Sequence, residues 1–175
     1  MQKIEDHTAM LFRQFMISAN AFVEGLKTVP GADFNRVPFD GSWSPAQVGD
    51  HVLKFLNGIK DVLKLPTAEP GRAPDAHEPV LREIFLNFEQ KSKAPAFIEP
   101  SADPIDKGVL LSTLAATVAA LGVKIKKSPL LKLYEGAPFP TIGDLTGMEW
   151  VLFGTYHLQR HTHQLEQMRP YFSIL

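Results

Sequence analysis

Apolar side chains recur at helical spacing along most of the chain, and this pattern predicts four long helices and one short one. The first predicted helix spans about residues 3–27 and stops at the Val29-Pro30-Gly31 segment, where proline and glycine interrupt a helix. Its apolar face carries Leu11, Phe15, Phe22 and Leu26.

The second predicted helix has a well-defined start. Ser44 is a preferred N-cap residue, Pro45 suits the first helical position, and Gln47 completes a capping box three residues after the serine. The helix ends before Pro66. Its apolar stripe contains Val48, Phe55, Ile59 and Val62.

The remaining helices are separated by long irregular connections. Residues 66–79 contain four prolines and a glycine, and they lead to a shorter helix predicted over residues 78–91. After residues 94–104, a third long helix is predicted over residues 105–127, rich in leucine, alanine and valine. The last predicted helix spans residues 146–168.

The last helix begins at a second capping box, in which Thr146 is the N-cap and Glu149 lies three residues further on. Pro170 prevents its continuation. Four long helices joined by long crossover connections predict an all-α four-helix bundle, with residues 1–175 forming one domain.

Composition narrows the classes of function. The chain carries 18 basic and 19 acidic residues, which gives no electrostatic footprint for nucleic acid or for an anionic membrane. It has no cysteine, which excludes disulfides, thiolate metal sites and cysteine nucleophiles and fits a reducing compartment. Residues 1–6 are polar, unlike a signal peptide, and residues 108–123 are interrupted by serine and threonine, as in a buried helix. We therefore expect a cytoplasmic protein without a membrane span.

Two histidines of the last helix are the strongest candidates for chemistry. His157 and His161 lie on neighbouring turns, about 40° apart on a helical wheel, so both imidazoles can reach one metal ion. His163 falls well off that face. The shared face is otherwise made of Trp150, Phe153, Gly154, Gln164, Leu165 and Met168, so it points toward the interior.

His51 lies on the apolar stripe of the second helix, so it is also expected to point inward. An unsatisfied buried imidazole costs about 1–3 kcal/mol, and three that converge need a common partner. A divalent transition metal supplies one, because neutral imidazole is its commonest protein ligand. The alternative is that each histidine finds a hydrogen bond of its own.

Two glutamines lie one turn from these histidines. Gln47 precedes His51 and Gln164 follows His161, so either could support a ligand or contact a substrate. Helix capping and ordinary packing are the alternative for both. We find no carboxylate that helical geometry clearly places beside the three histidines, and no other catalytic residue is assigned.

The segments Trp43-Ser44-Pro45, with His51 after it, and His157-Leu158-Gln159-Arg160-His161, with Gln164 after it, resemble the DinB/YfiT-like superfamily of metal-dependent bundles. In that family one histidine follows a Trp-Ser-Pro helix start. Two more form a pair separated by three residues, with arginine before the second histidine. The elements occur here in the same order, and the helix layout agrees over nearly the whole chain.

The resemblance implies three histidine ligands for one divalent ion, nickel or zinc above all, and a homodimer. It also implies the kinds of activity known among relatives: transfer or isomerisation with a low-molecular-weight thiol, or hydrolysis. Three protein ligands leave a metal position open for water or substrate, as in catalytic sites. We expect transfer of a low-molecular-weight thiol to a small electrophile. The alternatives are a hydrolase, a metal site without turnover, and a degenerate site that binds an apolar ligand or a protein.

Overall fold

The computed structural model describes residues 2–90 and 93–172, with side chains described from residue 7 onward. Most of this part of the chain is helical, as the apolar spacing predicts. In chain order the elements are α1 (Gln2–Lys27), α2 (Pro45–Val62), β1 (Thr67–Ala68), α3 (Glu78–Leu86), α4 (Lys107–Lys127), β2 (Leu133–Tyr134) and α5 (Gly147–Met168).

The four long helices form a four-helix bundle, which confirms the predicted fold class. α1 packs against α4 and α5, and α2 packs against the same two helices, so the order around the bundle is α1, α4, α2, α5. The short helix α3 packs on α5 from outside this ring. As a result α5 has neighbours on three sides, and almost every residue of its first half is buried.

Both predicted capping boxes are present. Ser44 and Gln47 exchange hydrogen bonds at the start of α2, and Thr146 and Glu149 do so at the start of α5. Helix α4 begins two residues later than predicted, because the Asp106 side chain accepts a hydrogen bond from the Val109 amide and so acts as the N-cap.

Helix α3 is shorter than predicted and ends at Leu86; Lys91, the predicted last residue, lies outside the described residues. Asn87 adopts an extended backbone. The guanidinium of Arg160 on α5 donates a 3.0 Å hydrogen bond to the Asn87 carbonyl and another to the Gln90 carbonyl. These two hydrogen bonds satisfy carbonyl groups that directly follow the helix. The apolar spacing along the sequence does not predict them.

Helix α4 is the one described helix long and apolar enough to cross a membrane by length and composition. The sequence predicted a buried helix, but only one face of α4, centred on Leu114 and Leu121, packs into the core. Its opposite face is exposed and contains Ser112, Ala116, Ala119 and Val123.

A two-residue antiparallel ladder ties the long connections together. Thr67 pairs with Tyr134 and Ala68 pairs with Leu133. The strands lie far apart in the sequence, so no hairpin pattern marks them. The ladder holds the segment after α2 against the segment before α5.

Gly147, at the start of α5, lies against the chain segment that precedes β2. A Cβ atom there would lie 2.8 Å from Leu130 Cα and 2.9 Å from Tyr134 Cε2. The backbone of Leu130 cannot move aside as a flexible side chain could. We expect Gly147→Ala to lower the free energy of unfolding by about 1–3 kcal/mol, measured by urea denaturation.

Gly58 provides the matched control, because it lies in α2 and an added Cβ would meet nothing within 4 Å. Alanine favours a helix over glycine by about 1 kcal/mol, so Gly58→Ala should be neutral or stabilising. Equal effects of the two substitutions would show that the close approach at Gly147 does not constrain the fold.

Candidate metal centre

The three predicted histidines come together at the contact between α2 and α5. His51 projects from α2, and His157 and His161 project from consecutive turns of α5. Their exposed fractions are 3%, 6% and 6%. The Nε2 atom of His157 lies 3.0 Å from Nε2 of His51 and 3.1 Å from Nε2 of His161. Three imidazole nitrogens therefore face one point inside the protein.

Two of the three rings are oriented by hydrogen bonds on their far side. The Nδ1–H group of His51 donates to the Ile98 carbonyl over 2.9 Å, and that of His161 donates to Gln164 Oε1 over 2.7 Å. A ring that carries its hydrogen on Nδ1 presents a lone pair at Nε2. Such partners fix the tautomer and the ring orientation of metal-binding histidines.

His157 lies between the other two rings, and among the described residues its Nδ1 atom lacks the hydrogen bond that the other two rings have on that side. Its Nδ1 atom is buried and makes no hydrogen bond within the described structure, and Phe55 stacks on its ring at 3.9 Å. A hydrogen on its Nε2 could satisfy only one of the two lone pairs that face it. A cation shared by all three Nε2 atoms satisfies the whole set.

All three imidazoles are held in their neutral form. Burial, followed by the nearby His51, lowers the pKa of His161 to about 3. Burial, followed by the repulsion that a protonated His157 would meet from protonated His161 and His51, lowers the pKa of His157 well below its ordinary value. Burial also lowers the pKa of His51. Neutral imidazole is the form that binds metal.

Aromatic rings surround the α3-facing side of the cluster. Phe55 packs edge-on against Phe153 at 4.9 Å, and Phe85 of α3 lies 4.5 Å from Phe153 and 5.6 Å from His157. On the other side, Trp43 lies 5.0 Å from the ring of His51. These rings keep water from much of the cluster and lower the local dielectric.

Among the described residues, the group able to hold a metal ion consists of histidines alone. Two acidic residues on the helices that carry the histidines have other partners. Asp50 accepts a hydrogen bond from the Ser101 amide, and Glu149 forms an ion pair with Arg72. An ion on the three histidines would therefore keep its full positive charge.

The two glutamines have different roles. Gln164 supports a histidine of the cluster, as described above. The side-chain oxygen of Gln47 completes the α2 capping box, and its nitrogen donates to the Ser101 carbonyl over 3.2 Å. His163 lies away from the cluster and stacks on Phe88, with ring centroids 4.3 Å apart.

Sequence reasoning missed the partner of His51, because the Ile98 carbonyl belongs to an irregular segment in which no side chain signals it. One sequence feature indicates that a polar segment packs on this face of α2. Gln47, Asp50, His51 and Lys54 recur at positions i, i+3, i+4 and i+7, so they share one face of α2 with a polar neighbour still to be found.

The geometry fits a divalent transition metal. Zinc binds imidazole nitrogen at about 2.0–2.1 Å in tetrahedral geometry, so two such nitrogens on one ion lie about 3.3–3.4 Å apart. The observed separations of 3.0 and 3.1 Å are slightly shorter, so a small outward movement of the rings would admit an ion. The fold and the cluster therefore define a helical bundle with a buried three-histidine centre that can hold a metal ion.

Comparison with known proteins places this bundle in a family. Residues 14–165 match the DinB superfamily, and the chain belongs to it. The chain is similar to "Uncharacterized protein YuaE" of Bacillus subtilis (strain 168), 24% identical over 144 residues that cover 82% of this chain and 88% of the relative. The family resemblance drawn from the sequence is thus confirmed.

A solved structure shares the fold. "Crystal structure of TT2238, a four-helix bundle protein" superposes with a TM-score of 0.58 at 19% identity, covering 91% of this chain and 98% of that one. At this level of identity the likeness supports the bundle architecture alone.

Proposed function

We propose that the protein binds one divalent transition metal ion, nickel or zinc, on His51, His157 and His161, and that it transfers a low-molecular-weight thiol to a small electrophile. The observation that carries the proposal is the convergence of three neutral Nε2 atoms. Two are oriented by hydrogen bonds, and the third belongs to a ring whose other nitrogen is orphaned.

Three neutral ligands leave the charge of the ion uncompensated, and a bound ion of this kind favours the deprotonated form of a thiol. The chain has no cysteine, so the thiol must be a co-substrate. Its sulfur forms the new bond to the electrophilic carbon, whose leaving group departs with the electron pair, and its proton passes to solvent. A hydrolase would usually use a general base near the cluster, and the acidic side chains of Asp50 and Glu149 are engaged elsewhere.

Phe55, Phe85 and Phe153 form an apolar wall next to His157. Such a wall suits an apolar electrophile and keeps bulk water, the competing nucleophile, away from the reacting carbon. It thus supports thiol transfer over hydrolysis.

The test uses untagged protein, because a histidine tag would bind metal itself. Metal-loaded and metal-free protein are incubated with a panel of low-molecular-weight thiols and monochlorobimane, and fluorescent product is followed. We expect a rate above background for at least one thiol, only with metal. Ester or amide cleavage without thiol transfer would favour a hydrolase, and inactivity in both assays would favour a metal site without turnover.

We also propose a cytoplasmic location, where low-molecular-weight thiols are kept reduced, and a homodimer. The homodimer is supported by the family resemblance and by the exposed face of α4. No charged residue interrupts the sequence between Lys107 and Lys124. Such a face can pack against its own copy across a twofold axis.

Light scattering is expected to give twice the chain mass of 19.4 kDa. Ala116→Glu, in the middle of the exposed α4 face, should shift the protein toward the monomer because it buries a charge between the copies. Ala9→Glu, on the exposed side of α1, should leave the mass unchanged. A single 19.4 kDa species over a wide concentration range would refute the dimer.

A further inference from the structure

Residues 96–101, which we call the strap, cross the α2 face that carries His51. The strap contains the 3-10 turn Ala96–Ile98, and the Ile98 side chain is buried. The Ile98 carbonyl accepts the hydrogen bond that orients His51. The position of the strap backbone therefore decides whether this imidazole keeps its partner.

Three further side chains of α2 hold the strap. Asp50 Oδ2 accepts a 2.8 Å hydrogen bond from the Ser101 amide, and Gln47 Nε2 donates to the Ser101 carbonyl. Lys54 Nζ donates to the Glu99 carbonyl over 2.8 Å. The α2 residues that contact the strap are Gln47, Asp50, His51 and Lys54, which lie on one face of the helix over two turns.

Asp50 has the central place among these contacts. Besides the Ser101 amide, its Oδ2 atom lies 2.9 Å from Lys54 Nζ, so it also orients the lysine that holds Glu99. A hydrogen bond to a charged group is stronger than one between neutral groups. Asp50 thus holds the strap at two residues that follow Ile98: at Ser101 directly, and at Glu99 through Lys54.

We propose that Asp50 is a positioning residue of the metal centre, which acts through the strap and the Ile98 carbonyl to hold the His51 ring for metal binding. The inference rests on the proposed metal site. Asp50 does not touch the ion. Without it the strap loosens, the Ile98 carbonyl leaves Nδ1 of His51, and the ring loses both its tautomer preference and its orientation.

The test measures the strap and the metal separately. Hydrogen exchange of the strap amides is followed by mass spectrometry on the metal-free protein, and Zn²⁺ affinity is measured by competition with a chromophoric chelator. Asp50→Ala is expected to speed exchange at the strap and to weaken Zn²⁺ binding about tenfold, the lower end of the effect of losing an outer partner of a metal ligand.

Asp50→Asn is the conservative rescue variant, because its amide oxygen still accepts from the Ser101 amide. It should lose less Zn²⁺ affinity than Asp50→Ala, because it loses the ion pair with Lys54 but keeps the hydrogen bond to the strap. Asp61→Ala is the matched control, since Asp61 lies exposed on the same helix and pairs with Lys64 as Asp50 pairs with Lys54. It should change neither measurement. If Asp50→Ala does not fold, Ser101→Pro removes the same hydrogen bond from the other side.

The outcomes separate this inference from the proposed function. Faster strap exchange with unchanged Zn²⁺ affinity would overturn the coupling and leave the metal site standing. Unchanged exchange in Asp50→Ala would overturn the role of Asp50 in holding the strap. Absence of Zn²⁺ binding by the wild-type protein would overturn the metal site and, with it, the positioning role of Asp50.

Discussion

Replacement of His157 by alanine is expected to remove the metal, from about one ion per chain to a level near that of a blank. His157 is the middle ligand, and its Nε2 atom is within 3.1 Å of both other Nε2 atoms. Two remaining imidazoles on different helices give a much weaker site. We expect a loss of affinity of more than about a hundredfold, because even an outer partner of a ligand contributes 10–100-fold.

Elemental analysis of untagged protein measures this effect, and His161→Ala should reproduce it. His163→Ala is the control from the same helix, because its ring stacks on Phe88 away from the cluster. It should keep full stoichiometry and affinity. Retention of metal by both His157→Ala and His161→Ala, or its loss in His163→Ala, would show that the ion binds elsewhere.

A second large effect is expected at Glu149, and it concerns stability. The side chain is fully buried and forms a two-pronged ion pair with Arg72, with N–O distances of 2.7 and 2.8 Å. Its oxygens also accept hydrogen bonds from the backbone amides of His77 and Thr146. Glu149→Ala would leave both amides without a partner, and the guanidinium would keep only its hydrogen bonds to the Ala73 and Asp144 carbonyls. We expect the free energy of unfolding to fall by about 3–5 kcal/mol.

Urea denaturation and thermal melting check this expectation, and for a chain of this size the loss corresponds to a fall in Tm of about 6–20 °C. Glu166→Ala, an exposed acidic position on the same helix, should change the free energy of unfolding by less than about 0.5 kcal/mol. Similar effects of the two substitutions would contradict the role given to the buried ion pair.

Local signals in the sequence account for the features that could be predicted. A capping box depends on residues three apart, and an apolar stripe depends on residues three or four apart. For this reason the starts of α2 and α5 and the inward faces bearing His51 and His157 follow from the sequence. Gln164 lies one turn from His161 for the same reason, although spacing did not tell a ligand partner from a packing residue.

Contacts between distant parts of the chain have no such signal. The sequence predicts Glu149 only as part of a helix cap. Its ion-pair partner, Arg72, lies 77 residues earlier and is identified only in the folded structure. The partner of His51 is the backbone carbonyl of Ile98, and every residue type has such a carbonyl, so the residue type does not mark it. The end of α3 depends on Arg160, which reaches across from another helix.

The separation of the ligands along the chain determines when the metal can be acquired. His51 and His157 are 106 positions apart, and α5 follows the other long helices of the described chain. Bringing such distant segments together costs about 4 kcal/mol of loop-closure entropy, which packing of the bundle must supply before the third nitrogen is in place. The set of ligands is therefore incomplete until α5 has been synthesised and has packed against α2. An ion would therefore bind only after the bundle has formed, and it would then act as a clamp between α2 and α5 that slows reopening of the bundle.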